Sequence, residues 1–301
     1  MISPATIDDA PGVAALGTVV SPHQLNSVRG VEHRMRTVPA DARRAEWKVE
    51  RGGALVGYAV ASLDWLSTEP GRSECYVQVH PEHRGQELGS ALWDVVQVHL
   101  AAIGARATTS STRDDAPSVA FAERRGFRKT SSDSLSATDP TRLQSAPEPP
   151  DGVALRPLAD WLDDPRPIYE LDLAGVIDEP GDNDFSGMTF ELWRDDFWSY
   201  PDWDYDISTV AVVDGRPVSM SMLLVDADAG RAVSGFAATY REYRGRGLAG
   251  LCKHHTLAKA ADAGITHAVT GNDETNAPML AINRRLGYRP FATAYRWRRE
   301  R

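Results

Sequence analysis

Cysteine is scarce in this chain: Cys75 and Cys252 are the two among 301 residues. They lie far apart in sequence and in unlike surroundings, which excludes a disulfide framework and a thiolate metal site and leaves two reduced packing residues. Long apolar runs are missing as well. None approaches the roughly 20 residues that span a bilayer, and the opening MISPATIDDA has neither the basic head nor the apolar centre of a signal peptide, so a soluble, cytoplasmic protein without a membrane partner is expected. Positive charge is in deficit: 33 Lys and Arg stand against 42 Asp and Glu, a net charge of −9. A nucleic-acid backbone calls for a basic surface, so no nucleic-acid partner is expected, and a cationic small molecule suits the balance better.

What the chain does have is an internal repeat. ECYVQVHPEHRGQELGSALW begins one copy at 74, and GFAATYREYRGRGLAGLCKHH begins the other at 235. Arg84 to Gly126 spans 42 residues and Arg244 to Gly287 spans 43, so two separated landmarks recur at nearly one distance. In each copy an apolar strand ends in a Gly-rich segment that opens a helix, Leu88 to Ile103 and Leu248 to Ala263. Gly104 and Gly264 stand where a helix end favours φ > 0. Short strands follow over Arg106 to Ser110 and His267 to Thr270, and a second helix then ends before Gly126-Phe127 or Gly287-Tyr288. Upstream, 46 to 64 and 208 to 226 read as hairpins, the second turning at Asp214-Gly215. Ser, Asp and Pro crowd 131 to 152, where SAPEPPDG reads as a linker after a possible closing strand. The division expected is 1–145 and 146–301, two α/β (α+β) domains, each with a mixed sheet because its strands run in meander order before the helix.

A Gly-rich strand-to-helix turn leaves several backbone N–H groups unpaired, and the helix dipole adds about half a positive charge, a combination that binds phosphate. Arg244-Gly245-Arg246-Gly247-Leu248-Ala249 has this form, with no Lys-Ser/Thr of a triphosphate loop and no Gly-x-Gly-x-x-Gly. Arg244, Gly247 and Ala249 match the Gln/Arg-x-x-Gly-x-Gly/Ala motif of the GNAT superfamily of acyl-CoA-dependent N-acyltransferases, which the chain resembles. The segment Asn276, Met279, Asn283, Leu286, Gly287, Tyr288 is similar to an actinobacterial branch of that superfamily, and the tandem layout is similar to mycothiol synthase. The resemblance implies two tandem GNAT-like domains, each a mixed, mostly antiparallel sheet flanked by helices. It implies acetyl-CoA as cofactor, its pyrophosphate on the amides from Tyr243 to Ala249 and its pantetheine arm along a splayed strand near Phe236 to Tyr240, with Ala238, Thr239, Tyr240, Asn276, Met279 and Asn283 as further contacts. The amide of Thr239 or Tyr240 would polarise the thioester carbonyl.

The first copy departs from this pattern. Glu87 stands where Gly247 does, and Ala122 occupies the place of the tyrosine that in many members protonates the departing thiolate. The first domain is therefore expected to be degenerate, completing the cleft or stabilising its partner. Asn283 holds the tyrosine position in the second copy and cannot donate a proton usefully near neutrality, although it can hydrogen-bond to sulfur or orient a water. Tyr240 and Tyr288 are the alternative acids.

From 160 to 206 the chain carries 15 carboxylates against Arg166 and Arg194, with four tryptophans. Carboxylates concentrate a cationic amine and Trp faces hold it, so Asp178, Glu179, Trp198, Trp203 and Asp204 are candidate acceptor contacts and Trp193 a neighbour. The attacking amine needs a base; Glu179 in the Gly/Pro-punctuated IDEPGDND is the leading candidate, with Asp178, Asp204 and Glu242 behind it. His254 and His255 lie too far along the helix and read as structural. The expected activity is acetyl transfer to a primary amine of a small, cationic polar metabolite or antibiotic, by a monomer or homodimer. A protein N-terminus or lysine is the other acceptor class, and a non-catalytic acyl-CoA sensor or interaction protein the other kind of function.

Overall fold

A computed structural model describes residues 1–178 and 180–301. In chain order the strands are β1 (Ile2–Pro4), β2 (Ala45–Arg51), β3 (Ala54–Leu63), β4 (Arg72–Val79), β5 (Ala107–Arg113), β6 (Arg128–Thr138), β7 (Ala154–Pro157), β8 (Thr209–Val213), β9 (Arg216–Asp226), β10 (Arg231–Thr239), β11 (His267–Asp273) and β12 (Arg289–Glu300). The helices are α1 (Ala10–Val20), α2 (Val28–Thr37), α3 (Leu88–Ala102), α4 (Ala116–Glu123), α5 (Arg166–Val176), α6 (Phe190–Leu192, continuing as a π-helical turn over Trp193–Trp198), α7 (Leu248–Asp262) and α8 (Ala277–Arg285).

Two compact units emerge, and both are discontinuous in sequence. One comprises Met1–Ser132, Asp182–Thr189 and Thr293–Arg301; the other comprises Asp133–Gly181 and Phe190–Ala292. In the first, β1 to β4 pair antiparallel in order, β4 and β5 run parallel, and residues 294–300 of β12 close the row antiparallel to β5. In the second, β7 to β10 pair antiparallel, β10 and β11 run parallel, and residues 133–138 of β6 close the row antiparallel to β11. Each unit is thus a mostly antiparallel mixed sheet with helices against it. The closing strand of each comes from the other half of the chain.

Alternation along β3 builds the core of the first unit on both faces. Ala59 and Ala61 meet Leu92 and Val96 of α3, whereas Tyr58 and Val60 meet Ala10, Val13 and Ala14 of α1. In the second unit α7 buries Leu248, Leu251, Cys252, Thr256, Leu257 and Ala260 at helical spacing against β8 and β9. The helix from 248 ends at Asp262 and the one from 88 at Ala102, one residue short of the sequence expectation, with Gly264 at φ 84° and Gly104 at φ 78° beyond them. The expected hairpin turn lies at Asp214-Gly215, φ 50° and 78°. His254 and His255 are structural: their Nε2 atoms meet the carbonyls of Gln144 (2.9 Å) and Pro147 (2.8 Å), tying the Pro-rich linker to α7. Both cysteines are buried, which pushes their thiols up to about 12. Among the described residues, no helix is long and apolar enough to cross a membrane.

Candidate functional site

The site is a wedge in the second unit. Parallel pairing of β10 with β11 covers only Arg231 to Val233 against His267 to Val269, then stops, while β10 continues to Thr239 on its other neighbour, β9. A bulge between Ser234 and Phe236 lies just beyond the last parallel pair. The Tyr240 amide donates to the Val218 carbonyl at 3.1 Å. Antiparallel ladder bonds alternate, so the amides of Thr239 and Ala237 face away from β9, into the wedge. Of the two amides expected to polarise a carbonyl, the Tyr240 amide is already engaged and the Thr239 amide is aimed at the opening. Ala238 is buried, and its carbonyl accepts from Ser219 Oγ at 3.1 Å.

At the open end of the wedge the chain makes a short 3₁₀ turn, Arg241–Tyr243, then passes through Arg244-Gly245-Arg246-Gly247 into α7. Gly245 and Gly247 take φ of 75° and 78°, and a Cβ at either would meet nothing within 4 Å. Among the described residues no side chain caps α7 and no acceptor meets the amides from 245 to 250. Arg244 Nε donates to the Thr239 carbonyl at 3.1 Å, fastening the loop to the strand; Arg84 does the same to Val79 at 3.2 Å in the first unit.

Asp178 reaches this loop. It pairs with Arg241 at 2.5 Å and Arg244 at 2.7 Å, and these guanidiniums, Arg241 first, hold its carboxyl below the usual carboxylate range. Its place is on the arginines of this loop. Glu179, the leading candidate base, lies outside the described residues. Glu242 is ion-paired with Arg216 at 3.3 Å and exposed. Asp204 folds its own turn, accepting from the amides of Asp206 (3.1 Å) and Ile207 (2.9 Å). Trp198 and Trp203 are core: Trp198 stacks on Trp193 at 5.3 Å, and Trp203 gives its indole N–H to the Phe197 carbonyl at 2.7 Å with its ring against Gly235. An added Cβ at Gly235 would lie 2.1 Å from that ring. These indoles pack rather than present a face to an amine.

At the closed end of the wedge lies a buried polar cluster. Lys253, Asn283 and Tyr288 are each 3% exposed. Lys253 Nζ donates to Asn283 Oδ1 at 2.7 Å, lies 3.4 Å from Thr270 Oγ1, and sits 4.8 Å above the Tyr288 ring. Asn283 Nδ2 donates to Asn272 Oδ1 at 2.7 Å, and the Tyr288 hydroxyl pairs with Ser234 at 3.2 Å. Burial alone lowers Lys253 to about 7, and burial raises Tyr288 above the usual phenol range. The structure thus brings two of the expected residues, Asn283 and Tyr288, together, while Tyr240 stands elsewhere, beneath the Arg216 guanidinium at 4.0 Å. Asn276 caps α8, accepting from the Met279 amide at 3.3 Å, which leaves Met279 half-buried in the first turn. Sequence reasoning missed Lys253, Thr270, Asn272 and Ser234. A signal existed: Lys253 shares the helical stripe of Thr256, Leu257 and Ala260.

The first unit has the same wedge with other contents. Pairing of β4 with β5 covers Arg72 to Glu74 only, and Glu87 takes φ 61°, ψ 1° at the N-terminus of α3, close to the 78°, 1° of Gly247. Its β4 pairs with β3 without a bulge. Where the second unit has Lys253, Asn283 and Tyr288, the repeat places Trp93, Ala122 and Phe127, which are buried together, with Trp93 and Phe127 edge to face at 5.7 Å.

Residues 27–127, in the first half of the chain, match the acetyltransferase (GNAT) family. Over its whole length it has the fold of a tandem GNAT protein from the clavulanic acid biosynthesis pathway (TM-score 0.74, 19% identity, 100% of this chain and 98% of that one). A GCN5-related N-acetyltransferase from Sphaerobacter thermophilus is similarly close (0.72, 21%, 100% and 95%), and one from Kribbella flavida matches in part (0.55, 20%, 81% and 87%). No curated protein matches the sequence. The family match falls on the copy with the altered loop, while the intact loop and polar cluster lie in the other.

Proposed function

We propose that residues 146–301 bind acetyl-CoA and catalyse transfer of its acetyl group to a primary amine of a small, cationic polar molecule, a metabolite or an antibiotic. The observation that carries this reading is the union of two features at the same strand: the free edge of β10 beyond Val233 and the unoccluded amides around Gly245 and Gly247 at its end. Acetyl-CoA fits both, since its pyrophosphate matches the amide cradle and its pantetheine amides match an unpaired strand edge. When bound, it supplies an acyl group activated as a thioester.

The protein's own residues supply the rest. The amides of 245 to 250 and the dipole of α7 hold the phosphates, helped by Arg244 and Arg246. The amides of β10 that face the wedge offer fixed donors to a developing oxyanion, which act without reorganisation. Fixed placement of the donor group turns a bimolecular encounter into an oriented attack. The net charge of −9 favours a cationic acceptor, although Asp160, Asp178, Asp195 and Asp204 are held by arginines or by their own turns.

The test is calorimetry with acetyl-CoA on the wild type and Gly247→Glu, followed by thiol release with a panel of amines. One site per chain, lost in the variant, with turnover on a cationic amine, is the expected result. Binding that survives in Gly247→Glu would remove the pyrophosphate assignment, and a polyanionic best acceptor would remove the substrate class.

A further inference from the structure

Lys253 is a buried lysine that the reading above leaves idle. Its ammonium faces two neutral acceptors and an aromatic ring, and among the described residues no carboxylate pairs with it. Holding such a group inside a protein is costly, and perturbed, poorly compensated groups of this kind cluster at functional sites. Its position narrows the role. Thr270 and Ser234 are the first residues of β11 and β10 beyond the last parallel pair, Val233 with Val269, so they mark the apex of the wedge. Lys253 touches the first, and Tyr288, beneath Lys253, touches the second. A ligand anchored by phosphate at the loop and laid along the free edge of β10 brings its far end toward this apex. In the first unit the same place is filled by Trp93, Ala122 and Phe127, so the fold itself has no need of an amine there.

Resting on the acetyl-CoA reading, we propose that Lys253, aimed by Asn283, is the proton donor to the sulfur of coenzyme A in a chain whose usual acid position carries asparagine. As the carbon–sulfur bond breaks, its electron pair passes to sulfur, and one N–H proton of the Lys253 ammonium passes to that sulfur. The products of the step are a neutral thiol and a neutral lysine amine, which regains a proton from solvent before the next turnover. The acetyl carbon meanwhile keeps its new bond to nitrogen, and the two protons shed by the acceptor ammonium, one before attack and one from the nitrogen once it is bonded to carbon, leave separately to solvent. Tyr288 is poorly suited to the task, since its hydroxyl is engaged with Ser234 and burial strengthens its hold on the proton. With its own proton affinity lowered to near neutrality, the lysine is suited to both giving and regaining one.

The experiment compares coenzyme A with desulfo-coenzyme A by calorimetry, from pH 6 to 9, in the wild type and in Lys253→Met. A charge-assisted contact to sulfur is expected to give the wild type about a tenfold preference for the thiol that varies with pH around neutrality. In Lys253→Met the preference should vanish while desulfo-coenzyme A binds as in the wild type, which also shows that the variant is folded; kcat should fall with KM little changed. Equal binding of the two ligands by the wild type overturns the role of Lys253 and leaves the acetyl-CoA reading standing, and so does a preference that persists in Lys253→Met. A wild type that binds neither ligand overturns that reading itself, and this proposal with it. The wild-type pH dependence needs no variant, so a misfolded Lys253→Met does not shield the proposal.

Discussion

Glu87 and Gly247 occupy the same place in the two copies and take almost the same backbone conformation, φ 61°, ψ 1° and φ 78°, ψ 1°. A side chain in the left-handed region costs roughly 1–2 kcal/mol that glycine avoids. The loop is therefore kept in the first copy against its own residue preference. Gly247→Glu should accordingly leave a folded protein, destabilised by about 1 kcal/mol, with acetyl-CoA affinity reduced at least about tenfold by crowding and charge. Thermal unfolding and calorimetry read the two effects separately. The reverse change, Glu87→Gly, should raise stability by a similar amount.

Lys253→Met should stabilise the protein, and the pH at which it does so is diagnostic. The folded-state affinity of Lys253 for its proton is lowered to about 7 from 10.5. The unfolded chain then binds more protons between those values, so wild-type stability rises with pH across that window. The cost of the buried ammonium is complete below about 7 and fades toward 10.5. Methionine removes this cost, on the order of a few kcal/mol, but leaves Asn283 Oδ1 without its donor at every pH. The gap in melting temperature between variant and wild type should be larger at pH 6 than at pH 9.5; a gap independent of pH would mean that the lysine is not held against its charge.

Asp178 competes with any anion for Arg241 and Arg244. Asp178→Asn should therefore tighten acetyl-CoA binding, by about threefold at low ionic strength, with the gain shrinking as salt is added. Weaker binding in the variant would show that the carboxylate positions the arginines instead of occupying them.

Gly235 supports the ring of Trp203, which an added Cβ would meet at 2.1 Å. Gly235→Ala should cost about 1–3 kcal/mol through overpacking and disturb the adjoining bulge of β10. Denaturant unfolding gives the first quantity, and tryptophan fluorescence reports the displaced indole.

The repeat made much of this legible. Gly-rich turns, Gly104 and Gly264, and the Asp214-Gly215 hairpin are local signals with local causes, and each appears where the sequence places it within a residue or two. The acceptor side was harder to read because composition does not reveal direction. Trp198 and Trp203 look like binding faces in a run of carboxylates, yet stacking on Trp193 and packing on Gly235 account for them. Asp178 lies near the site for a different reason from the one its charge suggests. The Lys253 cluster draws on α7, β10, β11 and α8, and no window of sequence contains it; only the misfit of a lysine on an apolar stripe hints at it.

The closing strands carry a consequence for heredity. Residues 133–138, encoded with the first half, complete the sheet of the unit that contains the intact loop, and residues 294–300 complete the other. A deletion that discarded the first half would strip β11 of its neighbour and leave a bare, aggregation-prone edge on the half that remained. Selection for the second unit alone is then enough to preserve the copy whose loop carries Glu87: the first half is retained for the strand it lends.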